Sequence, residues 1–380
     1  LWLCEIAGRS TKMGWSLLAG GALGAMFLEQ PDLALFFCLA LGPFTLYTLA
    51  REHAFRIPVW LRVLIPMGVV AGLLALPPVL SAYKSNVKSA TAGKAGDSES
   101  QWEFVTQWSW PPDESVDFIA PGYMGWRSGE PDGPYWGRMG RSAGWEQTKQ
   151  GFQNFKLESQ YLGVIPLALA LVAALGVWFS WRKDRAWSRE MLFWSIVTFV
   201  ALLLSFGKYF PLYRLVYMLP AFSSIRNPNK FLQVFQIAAG VLAAGGLDVV
   251  LRRPAWAAEL SASRIRQVTV GLAAVAVILI VWAFSLSTSW ITMVNQLSVS
   301  GWGAAADAIV RNQVHGAWIA VLMAVVVAVV VWILWRMAVG RREAVRTAGA
   351  WLLAAVVIVD ALALSAHYVK PMSMNMLQEG

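Results

Sequence analysis

The residues with the clearest chemical promise fall in a short stretch, Ser224-Ile225-Arg226-Asn227-Pro228-Asn229-Lys230-Phe231, just ahead of a long apolar run. Pro228 suits a helix start, where free backbone N–H groups favour an anion. An Arg fork, a Lys point charge and a helix N-terminus could together hold a phosphate or pyrophosphate. The same two cations also suit snorkelling to lipid headgroups. A second stretch, Glu29-Gln30-Pro31-Asp32, is a tight turn between two apolar runs. Carboxylates so close to hydrocarbon are costly unless they face a cavity or a partner, which marks Glu29 and Asp32 as candidate catalytic acids or bases. A plain polar turn, with Pro31 and Asp32 opening a helix, accounts for them equally. A third stretch, Glu158-Ser159-Gln160-Tyr161-Leu162-Gly163, leads into another apolar run. Glu158 there could act as a base or hold a sugar hydroxyl, and Tyr161 could stack on a ring. Tyrosine is in any case expected at a membrane interface. Finally Tyr123, Trp126, Tyr135 and Trp136 are interleaved with Arg127, Glu130, Asp132, Arg138 and Arg141. That mixture suits a sugar or lipid headgroup, Tyr123 being the candidate binding residue, but a segment lying on the interface is the favoured reading.

These stretches need elements to position them, and the composition says which. Of 380 residues 57% are apolar and 14% charged, with a mean hydropathy of +0.53. A water-facing surface needs about 25% charged residues, so a soluble enzyme is excluded. Apolar runs near 13–29, 32–50, 60–80, 161–181, 191–206, 230–250, 268–290, 316–336 and 349–368 predict an all-α polytopic membrane protein with about nine transmembrane helices. The predicted organisation is three spans in 1–80, a Trp-rich extracytoplasmic loop in 81–160, six spans in 161–370 and an outer tail at 371–380. Within the loop, residues 84–100 carry no aromatic and read as its mobile part.

Every second loop is basic. Arg9 and Lys12, then Arg51, Arg56 and Arg62, then Arg182, Lys183, Arg185 and Arg189 mark the first of these loops. Arg252, Arg253, Arg264 and Arg266, and then Arg336, Arg341, Arg342 and Arg346, continue the alternation. The positive-inside rule assigns them to the cytoplasm and accounts for the net charge of +9 without nucleic acid. The acidic turn, the long loop and the Arg226–Lys230 stretch are then expected in one compartment on the opposite side. Two cysteines, Cys4 and Cys38, make no disulfide framework, and His53, His315 and His367 are too far apart to read as a metal site. Gly20, Gly21 and Gly24, and Gly240, Gly245 and Gly246, read as close helix packing. Asp248 reads as paired with Arg252, and Asp360 has no assignment.

The Gly-rich span with its acidic turn, the Glu158–Gly163 stretch, and Leu219-Pro220-Ala221-Phe222 followed by Arg226-Asn227-Pro228-Asn229-Lys230-Phe231 resemble bacterial YfhO-type membrane proteins, of the GT-C class of polytopic glycosyltransferases. The likeness spans most of 13–250. It implies sugar transfer from a polyprenyl-phosphate donor at the outer face of the bacterial cytoplasmic membrane to a cell-envelope acceptor. It also implies an acidic base in the first outer loop, which this chain is expected to lack because it starts downstream of it. The donor phosphate then falls to Arg226, Asn227 and Lys230, and Glu29 or Asp32 lies on the right side to act as base. A divalent metal is compatible with such chemistry, although no ligand cluster is visible. The alternative is a non-catalytic scaffold or accessory subunit whose 21 tryptophans and 9 tyrosines contact lipids and other membrane subunits.

Overall fold

The structure is a computed structural model that describes residues 1–93, 98–219, 226–252, 262–338 and 343–369. Its regular elements are helices, and no strand occurs among the described residues. In chain order the principal ones are α1 (Trp2–Ser10), α2 (Met13–Glu29), α3 (Pro31–His53), α4 (Ile57–Gly93) and α5 (Ser98–Thr106). They continue with α6 (Val164–Ser180), α7 (Arg185–Ser205), α8 (Tyr213–Tyr217), α9 (Phe231–Arg252) and α10 (Ala262–Thr288). α11 (Trp290–Leu297), α12 (Ala306–Ala338) and α13 (Glu343–Ser365) complete the set. Each of the nine apolar runs overlaps one of these helices. Seven helical stretches are long and apolar enough to cross a bilayer among the described residues. The other two, α2 and α6, are apolar but have 17 residues each, short of the roughly 20 that a span needs.

The chain divides into two compact units. One comprises Leu1–Thr106 with Ala201–Val234, the other Gln107–Val200 with Phe235–Gly380. In the first, α2 lies along α4, and its glycines make the approach possible. A Cβ on Gly20 would collide with the Met67 carbonyl oxygen, and one on Gly24 with the Leu74 side chain. Gly21, one position away from that stripe, has open space. The packing role read for these glycines therefore belongs to the i, i+4 pair. In the second unit, Gly245 faces Met191 of α7 and Gly246 faces the backbone of α6 at Leu169, whereas Gly240 faces nothing within 4 Å.

α4 extends beyond its apolar run into the region expected to be loop. It runs on through Pro77 and Pro78 to Gly93, and α5 begins at Ser98, so the aromatic-free stretch 84–100 is helical on both sides of 94–97. Ser, Lys and Ala are compatible with a helix interior, and nothing before Gly93 forces a stop. The 371–380 tail, residues 220–225 and the side chain of Arg252 lie outside the described residues, and with them the outer-tail assignment, the Pro220-Ala221-Phe222 motif and the Asp248–Arg252 pairing.

From Gln107 to Gly163 the second unit has little regular structure, yet the segment is folded. Its backbone closes on itself through Tyr135 N–H to Arg127 O, Trp136 N–H to Met124 O, Ser128 N–H to Lys156 O and Phe155 N–H to Met139 O. Trp110 is fully buried and stacks on Phe118, with ring centroids 5.7 Å apart. Phe118 in turn packs on Phe235 of α9 and accepts the N–H groups of Leu162 and Gly163 at 3.1 and 3.0 Å. Burial of large aromatics is what lets a segment without periodicity hold one conformation.

Candidate functional site

In the first unit, the structure brings together two residues that are 198 positions apart. Lys230 Nζ donates to Asp32 Oδ2 in a salt bridge, with side-chain exposures of 15% and 36%. Asp32 stands at the first turn of α3, after Pro31 at the helix start, and its Oδ1 accepts the Leu33 N–H at 2.9 Å. Lys230 closes a single 3-10 turn, Pro228–Lys230, that leads straight into α9. Asn227 precedes that turn in the left-handed region, φ 77°, a conformation that asparagine tolerates better than most side chains. Its N–H donates to the Val105 carbonyl at 3.2 Å, which ties the turn to the end of α5.

Arg226 lies over the ring of Phe104, 3.9 Å from the centroid, and burial lowers the pKa of its guanidinium. On the same short helix Glu103 meets Lys208 at 3.4 Å, and Trp102 packs against Tyr213 and Tyr217 at 6.1 and 5.1 Å. Tyr213 is fully buried. Burial raises the pKa of its phenol, so the hydroxyl stays protonated at neutral pH. Its Oη, and Oδ1 of Asn227, have no hydrogen-bond partner among the described residues. Glu29 is exposed at the end of α2.

The other end of α3 carries a different set of charges. Arg9 pairs with Glu5 at 2.6 Å, Arg51 pairs with Glu52 at 3.0 Å, and His53 Nε2 lies 2.8 Å from the Gly8 carbonyl. At 1.5 Å of rise per residue, Asp32 and Arg51 are about 30 Å apart along the helix, one hydrocarbon thickness. The acidic turn with Lys230 and the basic Arg9/Arg51 network therefore occupy opposite ends of one apolar helix.

The remaining candidates lie in the second unit. Tyr161 donates its hydroxyl to Asp360 Oδ2 at 2.7 Å, an interaction that, with burial, raises the phenol pKa. Gln236 Nε2 donates to Gln160 Oε1 at 3.2 Å, and Glu158 is exposed beside them. Tyr123 is packed between Trp136 and Trp282, with centroids 6.4 and 5.4 Å away. The interface reading of this segment needs correcting at two of its aromatics. Tyr135 and Trp126 are only 1% and 7% exposed, and Trp126 stacks on His367 with centroids 3.9 Å apart.

A polar cluster that composition did not single out fills the interior of Gln107–Gly163. Glu114, fully buried, accepts the Tyr135 hydroxyl at 2.5 Å and the Arg138 N–H at 2.7 Å. Desolvation raises its pKa to about 7, against those hydrogen bonds and the nearby Lys156 charge. Asp117 and Lys156 form an ion pair only 3% and 2% exposed, with Lys156 also donating to the Gly125 carbonyl at 3.2 Å. Burial raises the Asp117 pKa, opposed by Lys156. Paired signs within 81–160 were visible in the sequence, but nothing in their spacing distinguished these four residues from solvated ones.

Both cysteines are free, and no group of three His, Cys, Asp or Glu side chains among the described residues is placed to hold a metal ion. Comparisons with family models, with curated proteins and with solved structures found no match to this chain.

Proposed function

We propose that the first unit carries the reaction centre of a lipid-linked sugar transferase of the GT-C type. The observation that carries this reading is the Lys230–Asp32 salt bridge, which puts an acid and a cation at one end of a membrane-length helix. Arg226, the Asn227 turn and the start of α9 supply further positive potential on the same chain segment.

The chemistry follows from the charges. A donor phosphate that engages Lys230 displaces Asp32, leaving a carboxylate able to accept the proton of an acceptor hydroxyl. As that oxygen bonds to the anomeric carbon, the bond from carbon to the phosphate oxygen breaks and its electron pair leaves on the polyprenyl phosphate. Lys230 and Arg226 stabilise the charge that grows there. Ion pairing in the resting state thus makes the base available only after donor has bound.

Transfer measured with a polyprenyl-phosphate sugar in proteoliposomes tests this. Arg226→Ala and Lys230→Ala are expected to abolish transfer while insertion and folding are kept. Asp32→Asn is expected to keep or tighten donor binding but to lose turnover, the signature of a base rather than a binding group. Full activity in both cation variants overturns the phosphate-site assignment, and no transfer by the unaltered chain leaves the scaffold reading in its place.

A further inference from the structure

The turn from α6 to α7, in the second unit, gathers positive charge that the chemistry above leaves unused. Arg182, Arg185 and Arg189 are all exposed and pair with no carboxylate among the described residues. At the basic end of α3, by contrast, Arg9 and Arg51 are answered by Glu5 and Glu52. The carboxylate of the turn itself is engaged, since Asp184 Oδ1 accepts the Trp187 N–H at 3.1 Å. Arg185 and Arg189 stand at i, i+4 on the first turn of α7. Like charges at that spacing destabilise a helix unless an anion lies between them. Two tryptophans lead into the cluster, Trp178 and Trp181, which are 85% and 44% exposed. Trp181 keeps helical φ and ψ at the end of α6, so Trp178, Trp181 and Arg182 follow one another at i, i+3 and i+4 on one face. The turn is held in shape from beneath. The N–H groups of Lys183 and Asp184 donate to the Ser180 carbonyl at 2.8 Å, and the buried hydroxyl oxygens of Ser180 and Ser188 are 2.6 Å apart.

Helix length sets the level at which these groups stand. α6 has 17 residues, about 25 Å of rise, against a hydrocarbon core of about 30 Å. A span that short draws its flanking residues toward the bilayer, where long cationic side chains reach for the headgroups. Tryptophan settles at the same level. Guanidinium groups there meet lipid phosphates, which they bind through paired N–H donors. They repel the ammonium of a zwitterionic headgroup, so net negative lipids are favoured over neutral ones. We propose that the α6–α7 turn is a binding site for an anionic phospholipid, its phosphate held by Arg182, Arg185 and Arg189 beside Trp178 and Trp181. This site is independent of the transferase reading.

The test uses the full chain in nanodiscs of phosphatidylcholine with about one-tenth phosphatidylglycerol. A photoreactive benzoylphenylalanine replaces Leu175, which is exposed on α6 one turn before Trp178. In a second protein it replaces Phe199, exposed on α7 away from the arginines, and reports the bulk bilayer. Irradiation couples the neighbouring lipid, and mass spectrometry of the adducts gives the ratio of the two lipids. Phosphatidylglycerol is expected to be enriched about fivefold at 175 over 199, the ratio that one basic residue at an anionic surface supplies. Replacing all three exposed arginines by glutamine should bring both positions to the same ratio. About 1 M salt, where charges are screened beyond about 3 Å, should do so without any substitution at the arginines. Equal ratios at the two positions at low salt overturn the proposal. Enrichment that survives either the glutamine substitutions or the salt overturns it as well, and the salt series decides alone if the glutamine variant fails to fold.

Discussion

Two lysine–carboxylate pairs, Lys230–Asp32 in the first unit and Lys156–Asp117 in the second, differ sharply in exposure. Lys230 and Asp32 are partly exposed, whereas Lys156 and Asp117 are sealed from solvent. An exposed pair contributes about 0–1 kcal/mol, because water screens both charges and the side chains lose freedom in pairing. A sealed pair is different. Removing one member leaves an uncompensated charge in a poorly polarisable interior, at a cost of about 3–5 kcal/mol. The proposed transfer requires the exposed pair to open, so it has to be cheap to separate, whereas a pair that staples an irregular segment has to be expensive.

The largest expected effect is therefore Lys156→Ala, which should destabilise Gln107–Gly163 by about 3–5 kcal/mol. Limited proteolysis of the reconstituted chain would show cleavage concentrated in that segment. Cleavage unchanged from the native pattern would remove the contrast between the pairs.

Next come the glycines at helix crossings. Gly246→Val places bulk against the α6 backbone and should cost about 1–3 kcal/mol, while Gly240→Val, in open space, should cost far less. Thermal unfolding in detergent separates the two, and equal losses would refute the crossing assignment.

The pH dependence of the sealed cluster sharpens the comparison further. Glu114 titrates near 7 when folded, above the usual carboxylate range, so the folded state binds its proton more tightly than the unfolded chain does. Its contribution to stability is fully present below the unfolded pKa of about 4.5 and is lost as pH rises through about 7. The change is at most about 1.4 kcal/mol per pH unit in that window. Hydrogen-exchange protection of 107–163 should accordingly be greater at pH 5 than at pH 8, and Glu114→Gln should flatten the difference. Protection that rises with pH would reverse the sign and refute the role given to desolvation.

The smallest effect on stability is expected for Lys230→Ala, below about 1 kcal/mol by thermal unfolding, despite its expected loss of transfer. A loss near that of Lys156→Ala would make the Asp32 pair a structural staple.

The helical elements were legible in the sequence because hydropathy is a local property. About 20 consecutive apolar residues must satisfy their own backbone hydrogen bonds in lipid, and a helix does so without any partner. The shared end of Asp32 and Lys230 was legible too, through the alternation of basic loops. Their direct pairing was not, because choice of partner among polar groups at one helix end depends on how α3 and the Asn227 turn are docked. The helix through residues 84–93 was not legible, since a loss of aromatics does not signal where a helix ends. The packing of Tyr123 between Trp136 and Trp282 was not legible either, because no spacing in the sequence names Trp282 as its neighbour.

By itself, then, the sequence determined that this is a helical membrane protein and where its apolar stretches run, since length and hydropathy decide both. Only the tertiary structure decided that Glu114 meets Tyr135, that Lys156 meets Asp117 and that Tyr161 meets Asp360. Those contacts join residues 21 to 199 positions apart, within and beyond a segment that has no period to read. Their energies come from desolvation and geometry, which exist only once the chain has closed around them.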